Sequence, residues 1–400
     1  MKNNPISLPT KVVFCKICVQ SNQRPRTTVE FKKKNISIKS LSFNDDDICD
    51  ACKYHYEIKE KIDWKEREKE LRALSKIHKS YQNQYDVLVP GSGGKDSIYV
   101  AHYLKKKYKM RVLTCTWAPH MYTEEGKKNM QEWQKMGFDN ILVTPNYEIH
   151  SKLTRLAFKN LVNPFQPFII GQKNLAPKIA SKFNIKLIMY GENNGEVHND
   201  IEMAKTAKMD ESFYSTTDPN KNLYFSGLNL DKLSKEKIFK KDLEIYKPIS
   251  RDLVKKNKIE VHFFSYYKKW SPHENYYYVM KNCNFTTNQD GRSEGTYTKF
   301  SSLDDKLDGQ HYFTTFIKFG IGRATADCCR DIRDGFLTRD EAIKLVKKYD
   351  GEFPKKYFLD FLNYIKMSPD EYWDIIDKIR PRHLWKKSGN KWELKKTVYK

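Results

Sequence analysis

The sequence predicts an α/β protein built on a doubly wound parallel sheet, preceded by a small four-cysteine module and followed by a mostly helical C-terminal part. Three observations lead there. Short apolar runs alternate with helical patterns between residues 85 and 190, two Cys-x-x-Cys pairs fall in the first 60 residues, and helical periodicity dominates the last third of the chain. A chain of 400 residues exceeds one ordinary core and suits two or three domains.

Residues 1 to 60 read as the cysteine module. Cys15-Lys-Ile-Cys18 and Cys49-Asp-Ala-Cys52 each place two thiolates on one tight turn. Together they supply the four soft ligands that a tetrahedral Zn²⁺ prefers, and with no open position such a site is structural, giving folding energy to a zinc-ribbon-like module too small for its own core. An iron–sulfur cluster is the rival occupant. A redox Cys-x-x-Cys leaves the second pair unexplained and lacks a βαβ context. Cys115, Cys283 and the adjacent Cys328 and Cys329 do not make a secreted disulfide framework, so a reducing compartment is expected. Residues 61 to 84, with the charged periodic stretch Ile62 to Leu74, read as a helical connector.

Residues 85 to 253 carry the sheet. Asp86 to Pro90, Val112 to Trp117, Ile141 to Thr144 and Leu187 to Tyr190 read as buried parallel strands. Ser97 to Tyr108, Gly126 to Met136, Ser151 to Leu161 and Leu175 to Phe183 read as the helices between and after them. The polar, weakly periodic stretch 206 to 242 reads as an insertion or flexible connection. Residues 254 to 400 form the C-terminal part, with an aromatic-rich stretch at Tyr266 to Tyr278 and helical patterns over Thr314 to Ile332 and Arg339 to Tyr349.

Lys and Arg number 73 against 50 Asp and Glu, a formal net charge of +23 that favours anionic partners. The excess of Lys over Arg, with abundant Asn, Ile and Tyr, is equally what an AT-rich genome imposes, so charge alone does not argue for nucleic acid. Met1 to Pro9 has no apolar run of the signal-peptide kind, and nothing approaches a bilayer span. A cytoplasmic protein without a membrane partner is expected.

The chemistry concentrates at Gly91-Ser92-Gly93-Gly94-Lys95-Asp96-Ser97, between a strand and an amphipathic helix. Glycines let successive N–H groups converge on one point, the helix N-terminus adds partial positive charge and Lys95 a full one, so the turn is an anion site. Its spacing is neither that of a Walker A loop nor of a dinucleotide fingerprint. Ser-Gly-Gly-Lys-Asp-Ser after a first strand resembles the PP-loop ATP pyrophosphatases. The resemblance implies ATP cleavage between the α and β phosphates, adenylation of a carbonyl or carboxyl oxygen, and release of pyrophosphate and AMP. In such folds ligands lie at the carboxyl ends of the strands, so Trp117 and the Gly191-Glu192-Asn193 turn are expected to face the nucleotide. Lys95, Asp96 and Glu192 are the candidate catalytic residues, with Asp96 and Glu192 as candidate Mg²⁺ ligands.

A narrower resemblance rests on Thr116-Trp-Ala-Pro-His120, Pro164-Phe-Gln-Pro-Phe168 with Gly171-Gln-Lys-Asn174, Tyr190-Gly-Glu-Asn193, Gly291-Arg-Ser-Glu-Gly-Thr-Tyr297, Ser302-Leu-Asp-Asp-Lys306 with Asp308-Gly309, and Lys318-Phe-Gly-Ile-Gly-Arg-Ala324. These are similar to the N-acetyl sugar amidotransferases of the WbpG and PseA type, over nearly the whole chain. The resemblance implies conversion of a sugar acetamido group to acetamidino in bacterial surface-glycan or flagellin-glycan biosynthesis, on a nonulosonic acid of pseudaminic or legionaminic type or a nucleotide-linked diacetamido sugar. Arg292, Lys299 and Arg323 are the candidate anion-binding residues, and Glu294, Asp304, Asp305 and Asp327 the candidate polar partners of sugar, ammonia or amidinium. The chain has Lys at position 2 and no Gly-x-Cys-x-Gly elbow, so a separate glutaminase subunit is expected to supply ammonia. Two departures concern specificity: Lys269 and Ser271 stand in the Tyr266-Tyr-Lys-Lys-Trp270 stretch where Pro and Asp are expected, and Cys328-Cys329 where small residues are. Both cysteines read first as buried small hydrophobes, with a vicinal disulfide or a second metal site as the alternatives. A tRNA-modifying thiolase or lysidine synthase is the enzymatic rival, and a non-catalytic zinc adaptor on nucleic acid the other. The intact Lys95-Asp96-Ser97 argues against a decayed loop.

Overall fold

The structure, a computed structural model, describes residues 8–26, 29–32, 40–79, 82, 84–193, 205–389 and 391–400. Met1 to Ser7, most of the N-terminal stretch read above, lie outside the described residues, as do 80, 81 and 83 of the connector. Five strands, β1 Val87–Pro90, β2 Val112–Trp117, β3 Asp139–Val143, β4 Leu187–Tyr190 and β5 Glu260–Phe263, form one sheet in the order β3-β2-β1-β4-β5. All four pairings are parallel, with Val87 opposite Val112, Leu88 opposite Ile188, and Leu187 opposite Glu260. Among the described residues, the helices of eight residues or more are α1 Asp50–Glu57, α2 Trp64–His78, α3 Lys95–Tyr108, α4 Glu124–Lys135, α5 Tyr147–Leu161, α6 Gln166–Lys182, α7 Pro272–Asn282, α8 Asp308–Phe319, α9 Arg323–Arg333, α10 Arg339–Tyr349, α11 Phe358–Ile365 and α12 Pro369–Ile379.

The side-chain period of two divides each buried strand between two cores. Val87 and Val89 join Val112, Leu187 and Met189 on the face covered by α2, α3, α4 and α7. Leu88, Leu113, Cys115, Trp117, Ile188, Val261 and Phe263 point to the other face, under α5 and α6. A sheet covered on both faces explains why its strands read as continuous apolar runs rather than as an alternation.

The stretch 206 to 242 is not a flexible connection. Tyr214, Leu223, Phe225, Leu233 and Ile238 are each at most 2 % exposed and complete the second core beside α6. Burying side chains of this size is worth about 1.5–3 kcal/mol each, which is what holds a polar-looking segment on the sheet. Polar residues hide the pattern because the apolar anchors are spaced irregularly among turns. The sheet also extends past the expected boundary at 253, since β5 pairs with β4 along Leu187 to Tyr190. Helix α6 begins at Gln166, nine residues before the expected start, with Pro167 tolerated in its first turn and Pro177 carried inside it. The pattern Thr314 to Ile332 is two helices, parted where Gly320 closes α8 in a left-handed conformation, φ +66°.

The C-terminal part is helical and is not a detached unit. Its α7 packs on α3, while α8, α11 and α12 build a third core around Phe158 of α5, with Phe313, Ile317, Phe361 and Tyr372. The cysteine knuckles share a fourth core with Cys328, Cys329 and Ile332 of α9 and with Ala342 and Val346 of α10. Residues 29–32 are stitched to the sheet domain: Phe31 joins its core, Tyr224 N–H donates to the Phe31 carbonyl at 3.0 Å, and Gln166 Nε2 to the Glu30 carbonyl at 2.9 Å. No helix among the described residues is long and apolar enough to cross a membrane.

Helix α6 lies close on β2 because Gly171 meets the Trp117 indole. A Cβ added there would stand 2.3 Å from two ring carbons. Gly171→Ala is therefore expected to lower unfolding stability by about 1–3 kcal/mol, read as a fall in the thermal midpoint, and an unchanged midpoint contradicts this packing.

Candidate active site and metal centre

Strand β1 ends at Pro90, the chain turns through Gly91 to Gly94, and α3 starts at Lys95 with Gly94 as its N-cap and no side-chain cap. The first-turn amides of α3 are thus left for a ligand. Gly93 is required here: its φ is +84°, and a Cβ would come within 2.8 Å of the Asn129 carbonyl oxygen. The loop follows β1 and the Gly191-Glu192 turn follows β4, so both stand where the strand order reverses, the place at which open α/β sheets bind ligands.

Lys95 Nζ bonds Asp96 Oδ2 at 2.6 Å, and Asn275 Nδ2 of α7 donates to Asp96 Oδ1 at 2.9 Å. Burial works to raise the Asp96 carboxyl, but Lys95 and Asn275 hold it below the usual carboxylate range. Glu192 accepts from Arg330 Nη1 at 2.6 Å and from the Trp270 indole N–H at 3.1 Å, while Gly191 lies beneath the Trp270 ring. Arg323 Nε donates to both Asp327 oxygens, at 3.0 and 2.8 Å, and its guanidinium also bonds the Tyr312 hydroxyl.

Two cavities meet at Lys95 and Asp96. A cavity of 200 Å³ sets Gly93, Gly94 and these two residues against Asp304, Asp308, Tyr312 and Arg323. Burial pushes the Asp304 carboxyl up, with Asp305 adding to the effect and a hydrogen bond with Ser92 opposing it. Asp308 is raised further, by burial and then by Asp304 and Asp305. A cleft of 590 Å³ opens from Lys95 and Asp96 past Glu192, Arg323, Asp327 and Arg330 to residues of α6, α8 and the cysteine module.

The structure therefore brings together the loop Ser92 to Ser97, Glu192, Gly191, Asp304, Arg323 and Asp327. It places five other sequence candidates elsewhere. Trp117 is 3 % exposed and packs on Gly171 and Tyr246, because it ends a strand on the face that α6 covers. Asp305 is spent on structure: it accepts from His120 N–H at 2.8 Å and Leu307 N–H at 2.9 Å, and bonds His120 Nδ1 at 2.7 Å. Arg292 makes a bidentate pair with Glu352 at 2.7 and 2.9 Å, and Glu294 accepts from the Lys355 and Lys356 amides, both in a recess of 290 Å³ that adjoins the small cavity through Ser302, Leu303 and Asp308. Lys299 is exposed and lines none of the three spaces. Sequence reasoning missed Asn275, Asp308, Arg330, Tyr312 and Arg24. Only Asp308 carried a signal, the Asp-Gly pair at a helix start.

The four cysteine Sγ atoms lie within 4.8 Å of one another, all four residues are fully buried, and Cys18 and Cys49 are 3.7 Å apart. Backbone N–H groups of Cys18, Gln20 and Cys49 point at the sulfurs at 3.4–3.5 Å, the pattern that stabilises thiolates. The set fits a bound metal ion. Arg339 donates to the carbonyls of Cys15 and Cys18 at 3.3 Å, so α10 clasps the first knuckle. Burial works against the Arg333 charge, and the neighbouring thiols Cys52, Cys18, Cys329 and Cys49 hold it above its usual range.

Comparison with curated protein sequences gives no match. Among solved structures, the chain is similar to U34-tRNA thiolase NcsA from Methanococcus maripaludis with its [4Fe-4S] cluster, at 11% identity and a TM-score of 0.32, over 94% of this chain and 91% of that one. A likeness at that level says nothing about this site. Residues 294–399 match the family model described as LPS biosynthesis protein WbpG-like, C-terminal domain. The matched segment supplies Asp304, Asp308, Tyr312, Arg323, Asp327 and Arg330 to the two cavities at the glycine loop. The C-terminal part of the chain thus carries a WbpG-like C-terminal domain, and that domain is set against the glycine loop.

Proposed function

We propose that the chain is an ATP-dependent amidotransferase of the PP-loop type that converts a sugar acetamido group to acetamidino. The observation that carries the reading is that Lys95 and Asp96 belong at once to the small cavity and to the larger cleft. One space suits the departing pyrophosphate and the other the acceptor, with the α-phosphate between them.

An amide carbon is a poor electrophile, so its oxygen must first become a leaving group. The acetamido oxygen attacks the α-phosphorus and pyrophosphate departs toward Gly93, Gly94 and Lys95, whose amides and ammonium stabilise the charge that develops there. Ammonia then adds to the imidate carbon, AMP leaves with the former carbonyl oxygen, and the amidine takes up a proton. Glu192, held by Arg330 and Trp270, and Asp327, held by Arg323, border the acceptor. Mg²⁺ would neutralise the pyrophosphate; Asp304 and Asp308, which line the small cavity with the glycine loop, fit it better than Asp96, both of whose oxygens are engaged, or Glu192, whose Oε1 is taken by Arg330 and Trp270.

The ammonia comes from a separate glutaminase subunit. Burial pushes the Cys115 thiol up to about 12 and the Cys283 thiol up to about 11, so neither is a ready nucleophile at neutral pH. The acceptor is an N-acetylated acidic or nucleotide-linked sugar of a bacterial surface or flagellin glycan, and the enzyme works in the cytoplasm. The knuckles hold one structural Zn²⁺. A tetrahedral ion with Zn–S bonds of about 2.3 Å sets its sulfurs about 3.8 Å apart, close to the Cys18 to Cys49 distance of 3.7 Å. A four-iron cluster takes one thiolate per iron and needs them spread around a larger core.

Incubating diacetamido sugars with the protein, Mg-ATP and ammonium chloride should yield AMP together with a product about 1 Da lighter, as NH replaces oxygen. Lys95→Ala and Asp96→Ala should abolish both signals, with some loss of thermal stability because each leaves a buried partner unpaired; wild-type rates in either remove the loop from the chemistry. Metal analysis of the purified protein should find one zinc per chain and no acid-labile sulfide. Cys49→Ser should lose that zinc and unfold at lower temperature; iron with sulfide in the wild type overturns the zinc assignment.

A further inference from the structure

Helix α7 starts at a fixed point. The Ser271 hydroxyl, at the N-cap, accepts from the Glu274 N–H at 3.4 Å, and Pro272 takes the first helical position. That start serves the site twice. Asn275 grips Asp96, and His273, two residues earlier, lines the 590 Å³ cleft. Phe300 ties the imidazole to the glycine loop: Lys95 Nζ lies 5.2 Å from the centroid of its ring, and the His273 ring meets it edge-on, also at 5.2 Å. A group held at Lys95 therefore has His273 across the width of one aromatic ring.

The imidazole is held in one tautomer. His273 Nε2 bonds Asp331 Oδ2 at 3.0 Å, and the same oxygen accepts from the Tyr297 hydroxyl at 2.6 Å. Asp331 is buried on α9, and the Phe336 ring backs the imidazole at 4.6 Å. A carboxylate oxygen only accepts, so Nε2 carries the proton and Nδ1 the lone pair. Nδ1 has no hydrogen-bond partner among the described residues. An imidazole oriented by a buried carboxylate, with its other nitrogen left unbonded, is equipped to take a proton from a nucleophile.

Other groups on the cleft are engaged or unsuited. Asp96 has both oxygens bonded, Asp327 gives both to Arg323, and Glu192 Oε1 is shared by Arg330 and Trp270. The cleft's second histidine, His311, is brought down to about 3 by burial and then by Lys318, Arg323 and His120, so it does not hold a proton at neutral pH.

We propose that His273 is the general base of the second half-reaction, taking a proton from ammonia as it adds to the imidate, and that Asp331 is its positioning residue. The inference rests on the amidotransferase reading. The ammonia nitrogen bonds to the imidate carbon while one of its protons passes to His273 Nδ1, and the C=N electron pair moves onto the sugar nitrogen. That pair then re-forms the C=N bond as the C–O bond breaks, its electrons leaving with AMP. His273 finally hands its proton to the amidine and is neutral again. Adenylation, an attack of oxygen on phosphorus at the loop, does not involve this proton transfer.

The test separates the two half-reactions on the full-length protein with Mg-ATP. The probes are di-N-acetylpseudaminic acid, di-N-acetyllegionaminic acid and a UDP-linked diacetamido hexose. Without ammonium, exchange of radiolabelled pyrophosphate into ATP reads adenylation; with ammonium chloride, mass spectrometry reads the amidine. His273→Gln keeps an N–H donor for Asp331 but has no basic nitrogen, so it should hold exchange within about twofold of wild type and cut the amidine rate at least about 100-fold. Asp331→Asn leaves His273 in place without the carboxylate that fixes its tautomer, and should show the same split at about tenfold or more. Amidine formed by His273→Gln at the wild-type rate, or exchange lost in step with the amidine, overturns the assignment. If that variant does not fold, Asp331→Asn decides by the same criteria. A wild type without sugar-dependent exchange on any probe overturns the amidotransferase reading, and the assignment with it.

Discussion

The Asp96 carboxylate, gripped by the Lys95 ammonium and the Asn275 amide, is the contact from which the cleft is built. A buried ion pair loses hydration that it regains only when its remaining hydrogen-bond positions are filled. Asn275 fills one from 179 residues further along the chain. The loop therefore has its native electrostatics only when α7 has docked on α3. Glu192 repeats the arrangement on the other side of the strand reversal, taking Arg330 from 138 residues away. Both sides of the switch point are thus closed by residues from the late part of the chain.

Helix α9 joins this cleft to the metal centre. Arg323, Asp327 and Arg330 follow one another by four and three residues and so share one face, which lines the cleft. Cys328, Cys329 and Ile332 face the knuckles instead. The cysteine module and α9 share one core, and the opposite face of α9 brings three charged side chains to the cleft beside the glycine loop. The vicinal cysteines belong to this contact, as buried small side chains against the first knuckle.

The parts legible in the sequence were those set by local rules. Four of the five strands, the glycine loop and the cysteine pairs each carry a pattern within a short window. The fifth strand, Glu260–Phe263, is too short and too polar at its start to stand out, and its place is decided by the open edge of β4. The stretch 206 to 242 looked like a connection because its anchors Tyr214, Leu223, Phe225 and Leu233 have no helix or strand period. Within the site, residue type foretold chemistry but not partners. Arg292 and Arg323 look alike in sequence, yet one is consumed by Glu352 and the other faces the loop with Asp327, a difference that only tertiary contacts create.

The proposed chemistry turns on the acetamido oxygen becoming the leaving group, carried off by AMP. The most direct measurement uses an acceptor whose N-acetyl carbonyl is labelled with ¹⁸O, followed by mass spectrometry of the nucleotide product. Adenylation of that oxygen predicts that the label appears in AMP in equal amount to the amidine formed. Unlabelled AMP, with ¹⁸O retained on the sugar or released to water, would contradict it.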